Sequence, residues 1–209
     1  VADGMSKGID YLMKKNKIEI IMGTAKVLPG KKVSVIDTDG KTTEYSSDNI
    51  IIATGSRSRE LPNLPQDGKK IVGYRKAMTL DSKPKKMVVV GSGAIGVEFA
   101  YFYKAMGVDV TVVEYLGNIV PVEDEDISKQ LARSFKKMGI KVMTNSSVET
   151  VDTSGDGCVV TIKTKKGEET IECDVVLSAV GVVANIENIG LEDVGIATDK
   201  GKILANDFY

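Results

Sequence analysis

The chain has 209 residues, 42% apolar and 27% charged, with a net charge of −1 and no histidine. Such a composition is ordinary for a globular chain of one large domain or two small ones. Without a basic stripe, nucleic acid and anionic membranes are excluded as expected partners, and no apolar run approaches the roughly 20 residues of a membrane span.

In chain order, residues 6–15 carry Ile9, Leu12 and Met13 at helical spacing and close on Lys14 and Lys15, which suit a helix C-terminus. A β-rich stretch follows: residues 18–22, then Gly23, then 25–28 and 32–37, a hairpin turn at Asp39-Gly40, and a return over 41–45. It feeds a near-continuous apolar strand, Asn49-Ile50-Ile51-Ile52-Ala53, that ends at Thr54-Gly55 and is expected to be buried on both faces. The pattern lapses over 56–83, where Pro62 and Pro65 stand among charged residues, and reads as a connection between domains.

Met87-Val88-Val89-Val90 then reads as a buried parallel strand that breaks into Gly91-Ser92-Gly93-Ala94-Ile95-Gly96. Gly91 permits a tight turn, Gly93 lets a pyrophosphate approach the backbone, and Gly96 lets the next helix pack on the strand, its positive end towards the phosphates. That helix carries Ile95, Phe99, Phe102 and Met106 on one side, read as its core face, and closes at Gly107. A second strand, residues 108–113, delivers Glu114 to the ribose hydroxyls of a dinucleotide. Next, Glu123-Asp124-Glu125-Asp126 offers either a metal site or the start of a helix over 127–138, and negative charge meeting the positive end of a helix dipole favours the helix.

A third parallel strand (140–144) leads to an antiparallel meander (148–153, 158–164, 169–173) turned at Gly155, Gly157 and Gly167. The two cysteines, Cys158 and Cys173, fall in this meander with neither Cys-x-x-Cys nor Cys-x-x-x-x-Cys spacing, and read as buried thiols in a reducing, cytoplasmic setting. With no histidine, Ser–His and Cys–His catalytic pairs and histidine metal sites are excluded, so no catalytic residue and no metal are expected. A last buried strand (174–180) ends at Gly181 and echoes the one ending at Gly55; ligands in open α/β sheets bind beyond the carboxyl ends of strands, so both glycines are candidate floors of nucleotide pockets.

On these motifs the chain resembles the FAD-dependent pyridine-nucleotide disulfide oxidoreductases, and among them the dihydrolipoamide dehydrogenase branch. Asn49 to Ser56 (NIIIATGS) is similar to the family's second FAD-contacting motif, Gly91 to Glu98 (GSGAIGVE) to its NAD fingerprint, and Val112-Val113-Glu114 to its ribose-binding segment. Ala179-Val180-Gly181 with Ile189-Gly190-Leu191-Glu192 is similar to the motif closing the NAD domain, although Val182-Val183-Ala184 stands where relatives carry a basic pair and proline.

The resemblance implies an α/β architecture: a Rossmann-like NAD-binding domain with an inserted antiparallel β-meander (85–183), joined by a connection (61–84) to a partial FAD-binding domain (1–60), with a return over 184–209. It implies NAD contacts from Gly91, Ser92, Gly93, Ala94, Ile95, Gly96, Val97, Glu98, Glu114, Val148 and Gly181, with Glu98 near the nicotinamide, and FAD contacts from Gly23, Thr54, Gly55 and Ser56. The family's first FAD fingerprint and redox-active cysteine pair belong upstream of Val1, and its His–Glu pair and dimerisation domain beyond Tyr209, so an interior piece is expected. The implied parent is a homodimer that oxidises dihydrolipoyl groups borne by a 2-oxoacid dehydrogenase complex, passing hydride through FAD to NAD. A related NADH-dependent reductase, or an NAD-binding module without turnover, would carry the same segment.

Overall fold

Apolar runs too rich in valine to alternate with polar residues become strands covered on both faces. In the computed structural model, which describes residues 2–208, three of them build the middle of a five-stranded parallel sheet. The chain divides into two units: one runs through Gly55 and resumes at Ala184, and the other is Ser56–Val183.

The first unit opens with α1 (Ala2–Lys15), whose apolar residues Met5, Ile9 and Leu12 are exposed. Then β1 (Thr24–Leu28), β2 (Lys32–Ile36) and β3 (Thr42–Ser46) form an antiparallel sheet in that order. The Asp37 carboxylate accepts from the Asp39 and Lys41 amides and fixes the expected hairpin. Two expected strands do not form. Residues 18–22 and 49–53 are irregular, and Ile51 is 91% exposed. Sequence pattern alone cannot make a strand, because its amides and carbonyls need a neighbouring ladder, and neither segment lies beside one among the described residues.

The second unit begins with β4 (Ser56–Ser58), β5 (Ile71–Val72) and α2 (Tyr74–Ala77), then alternates β6 (Lys86–Val90), α3 (Ala94–Ala105), β7 (Asp109–Val113), α4 (Glu125–Met138) and β8 (Lys141–Met143). The meander is β9 (Ser147–Asp152), β10 (Cys158–Thr164) and β11 (Gly167–Cys173), and β12 (Val175–Ser178) returns to the main sheet. Sheet order is β5-β12-β6-β7-β8, every neighbour parallel. Part of the 61–84 stretch, read from the sequence as a connection, therefore supplies an edge strand and a short helix to this unit. Asp67 accepts from the amides of Lys69, Lys70 and Ile71, so side-chain bonds and not hydrophobic periodicity shape this stretch.

Two cores lie on the two faces of the sheet. Met87, Val89, Val110, Val112, Val175 and Leu177 face the helices with Tyr103 and Phe135, while Val88, Val90, Val113 and Val176 face the meander with Val160, Ile162 and both cysteines. Strict alternation along each strand sorts its residues between the layers. The face of α3 differs from expectation: Gly96, Ala100 and Tyr103 are buried, whereas Phe102 and Met106 are about half exposed. Gly96 and Ala100 sit where the helix and sheet backbones approach most closely, and Tyr103 enters the core one turn further on, with its hydroxyl donating to the Ala77 carbonyl. The acidic run opens α4, as the dipole argument favours: Asp124 caps the Asp126 amide at 2.8 Å, and Lys129 pairs with Glu125 at 3.0 Å.

Candidate functional site

Between β6 and β12 the sheet order reverses, β7 and β8 lying to one side of β6 and β12 to the other. After β6 the chain crosses through α3 to β7, whereas after β12 it does not continue within this sheet, and ligands in open α/β sheets bind beyond the carboxyl ends of strands at such a point. A cleft of about 1000 Å³ occupies it, at the upper end of ligand-pocket sizes. One wall is the turn from β6 into α3, the second the residues after β7, the third the residues after β12, and the fourth the start of β9.

The turn is fixed by close approach. Gly91 has φ +95°, and a Cβ there would stand 2.5 Å from the Ala179 carbonyl oxygen. A Cβ on Gly96 would collide with the Gly91 carbonyl. At Gly93 a Cβ would meet nothing within 4 Å, so its lack of a side chain serves the open cleft and no internal packing. Gly93 is also the N-cap of α3 and gives it no side-chain cap, which leaves the first-turn amides and the positive dipole end unmasked.

Glu114 follows β7 and is 6% exposed. One carboxylate oxygen accepts from the Ser92 amide (2.8 Å) and the Ser92 hydroxyl (2.6 Å); the other accepts from the Leu116 amide at 2.8 Å. Three donors hold the anion in place: Oε2 has both lone pairs engaged by Ser92, and Oε1 keeps one for a further donor. Ser92 is fully buried, and its carbonyl accepts from Val120, tying this wall to the 115–122 loop.

Of the residues proposed from the sequence for NAD, Gly91, Ser92, Gly93, Ala94, Ile95, Glu114, Val148 and Gly181 line this one cleft. Gly96 lies beneath the turn, Val97 packs against the helix-side core, and Glu98 is exposed on the first turns of α3. Of those proposed for FAD, Gly23 packs against Val35 and Ile36 of β2, and Thr54 and Gly55 are exposed, their carbonyls accepting from Asn185 at 3.1 and 2.9 Å. Ser56 accepts at its carbonyl from Arg75 at 3.1 Å.

Sequence reasoning missed Arg59, Leu61 and Asn63, which also line the cleft. The Arg59 amide donates to the Gly181 carbonyl at 2.9 Å, bringing a guanidinium to the cleft wall. No local signal marks it, because it arrives in a proline-broken stretch without periodicity.

A family model described as pyridine nucleotide-disulphide oxidoreductase matches residues 1–209. The chain is 40% identical over 209 residues to a dihydrolipoyl dehydrogenase of Zymomonas mobilis, covering 100% of this chain and 45% of the relative. It is 42% identical over 208 residues to a leghemoglobin reductase of Glycine max, covering 98% of this chain and 40% of that protein. The crystal structure of LpdA from Mycobacterium tuberculosis superposes with a TM-score of 0.85 at 32% identity, over 96% of this chain and 44% of that one. The chain thus spans less than half the length of these relatives.

Proposed function

The chain belongs to the pyridine nucleotide-disulphide oxidoreductase family, and on that footing we propose that Ser56–Val183 is a Rossmann-like NAD-binding domain of a flavoprotein that oxidises dihydrolipoyl groups. The other unit is then part of its FAD-binding domain. The carrying observation is the cleft at the strand-order reversal, where an unmasked helix N-terminus, an open Gly93 and a buried, oriented Glu114 converge.

The residues present fit NAD. The α3 amides and Gly93 would hold the pyrophosphate, and Glu114 would accept from an adenosine ribose hydroxyl with the lone pair left on Oε1. Arg59 would face the ligand's negative charge from the Gly181 wall. For FAD the described residues offer one exposed wall, Thr54 and Gly55. When bound, the two cofactors supply the electron-pair transfer itself; this chain's side chains bind, orient and exclude water. A dihydrolipoyl-bearing protein as partner, a paired state of the whole protein and Glu98 beside the nicotinamide belong to the same reading. The likeness to leghemoglobin reductase favours, as a second reading, a reductase that spends NADH on another acceptor.

Calorimetric titration with NAD and NADP tests the site. A 2′-phosphate would set like charges together at Glu114, and such repulsion in a partly buried site is worth a few kcal/mol, so NAD should bind on the order of a hundredfold tighter. Equal affinities, or tighter NADP, would sink the assignment.

A further inference from the structure

Beyond the nucleotide cleft, the meander holds two sulfurs that no step of the proposed function uses. Cys158 and Cys173 face each other as Cα partners in the β10–β11 ladder, so their side chains project from the same face of that sheet. Both are free thiols, 2% and 5% exposed, and both belong to the core between the meander and the main sheet. Directly opposed residues of an antiparallel pair have Cα atoms about 4.5 or 5.5 Å apart, inside the roughly 4.4–6.8 Å that a disulfide bridges without backbone movement. A cleft of about 410 Å³ lined by both cysteines, Lys85, Lys86, Asp152 and Asp174 gives a small molecule a route to them.

We propose that Cys158 and Cys173 form a closable thiol pair, which a small peroxide converts to an internal disulfide pinning β10 to β11. The step balances on one equivalent of hydrogen peroxide. The Cys158 sulfur attacks one oxygen, the O–O bond breaks, and water and a Cys158 sulfenic acid result. The Cys173 sulfur then attacks the Cys158 sulfur; the S–S bond forms, the S–O bond breaks, and the departing hydroxide leaves as water with the Cys173 proton. Two thiols are oxidised and the peroxide is reduced to two waters.

Cys158 is the sulfur that reacts first. Burial raises both thiols, Cys173 to about 12, while the Lys70 ammonium beside Cys158 offsets part of its rise. Thiolate is the reactive form, so closure is slow at neutral pH and quickens as pH rises towards 9.

The test treats the reduced 209-residue protein with hydrogen peroxide at pH 7 and pH 9, quenches in acid, alkylates the remaining thiols, and reads intact mass and linked peptides. Expected is a species about 2 Da lighter that takes no label, joins 158 to 173, and forms faster at pH 9. Closing a loop of this size should raise the melting temperature by several degrees, reversed by dithiothreitol. Cys158→Ser and Cys173→Ser, checked for folding by circular dichroism, should gain oxygen on the remaining sulfur or form a linked dimer, and never give a monomer about 2 Da lighter. Oxidation of the wild type directly to sulfinic or sulfonic acid, a disulfide only between chains, or no reaction at pH 9 would overturn the proposal. None of these readouts depends on NAD binding.

Discussion

The hydroxyl of Ser92 decides how Glu114 is presented. It is fully buried, and at 2.6 Å it makes the shortest of the three bonds to the carboxylate. Ser92→Ala removes a charge-assisted bond while keeping the backbone donor, a loss of about 1–2 kcal/mol. Isothermal titration should therefore show NAD affinity lower by about five- to thirtyfold, and the preference over NADP should narrow as the carboxylate loosens. An unchanged NAD-to-NADP ratio would count against this positioning role. Cys173 writes a different signature, in pH. Burial first, then charge on Cys158, raises its thiol from 9.0 to about 12. A raised folded-state value favours the protonated folded form, so this contribution is whole below pH 9 and is lost as pH rises through 9 to 12. Stability should fall in that window by at most about 1.4 kcal/mol per pH unit. Cys173→Ala should flatten that alkaline slope in urea unfolding measured at pH 7, 9 and 10.

At the scale of elements, α3 separates what a sequence can and cannot tell. Its existence, its start after the glycine turn and its end at Gly107 were legible, because glycines and apolar spacing are local signals. Its buried face was not: hydrophobicity points to Phe102 and Met106, but the gap to be filled is set by how closely β6 and the turn approach. The difference is measurable. Phe102→Ala should cost under about 1 kcal/mol, since the ring is half exposed. Tyr103→Phe should cost about as much although it removes one atom only, the hydroxyl that donates to the Ala77 carbonyl at 2.5 Å. Ala100→Leu, overpacking a fully buried contact, should cost about 1–3 kcal/mol. Thermal melts that rank Phe102→Ala worst would favour the face read from the sequence. The β6, β7 and β12 runs were legible for the opposite reason, since strands buried on both faces announce themselves by composition, and the meander was legible from the glycines that turn it. Residues 49–53 have that composition without a ladder beside them, and the cleft residue Arg59 has neither composition nor spacing to mark it.

Over the whole chain, order follows pairing. The residues of β6, β7 and β12 should exchange their amide hydrogens slowly, and those of 18–22 and 49–53 fast. Uniform protection across these segments in a monomeric sample would contradict this. With only Thr54 and Gly55 offered to FAD, and both exposed, the purified chain should be colourless, and without a redox-active Cys-x-x-x-x-Cys it should make no NADH from dihydrolipoamide; a yellow, active preparation would reverse that expectation. The position of β12 has a consequence for synthesis. It lies between β5 and β6 in the sheet, yet it is the last of the five strands to leave the ribosome. At about 5–20 residues per second, β6 waits on the order of ten seconds with one valine-rich edge bare. During that interval the nascent chain offers a ready template for any other strand. Translational pausing while β6 is outside the exit tunnel and β12 still inside it should therefore raise misassembly far more than pausing after β12 has emerged, which ribosome-stalled chains of graded length, probed by limited proteolysis, would reveal as a sharp gain in resistance once residue 178 has cleared the exit tunnel.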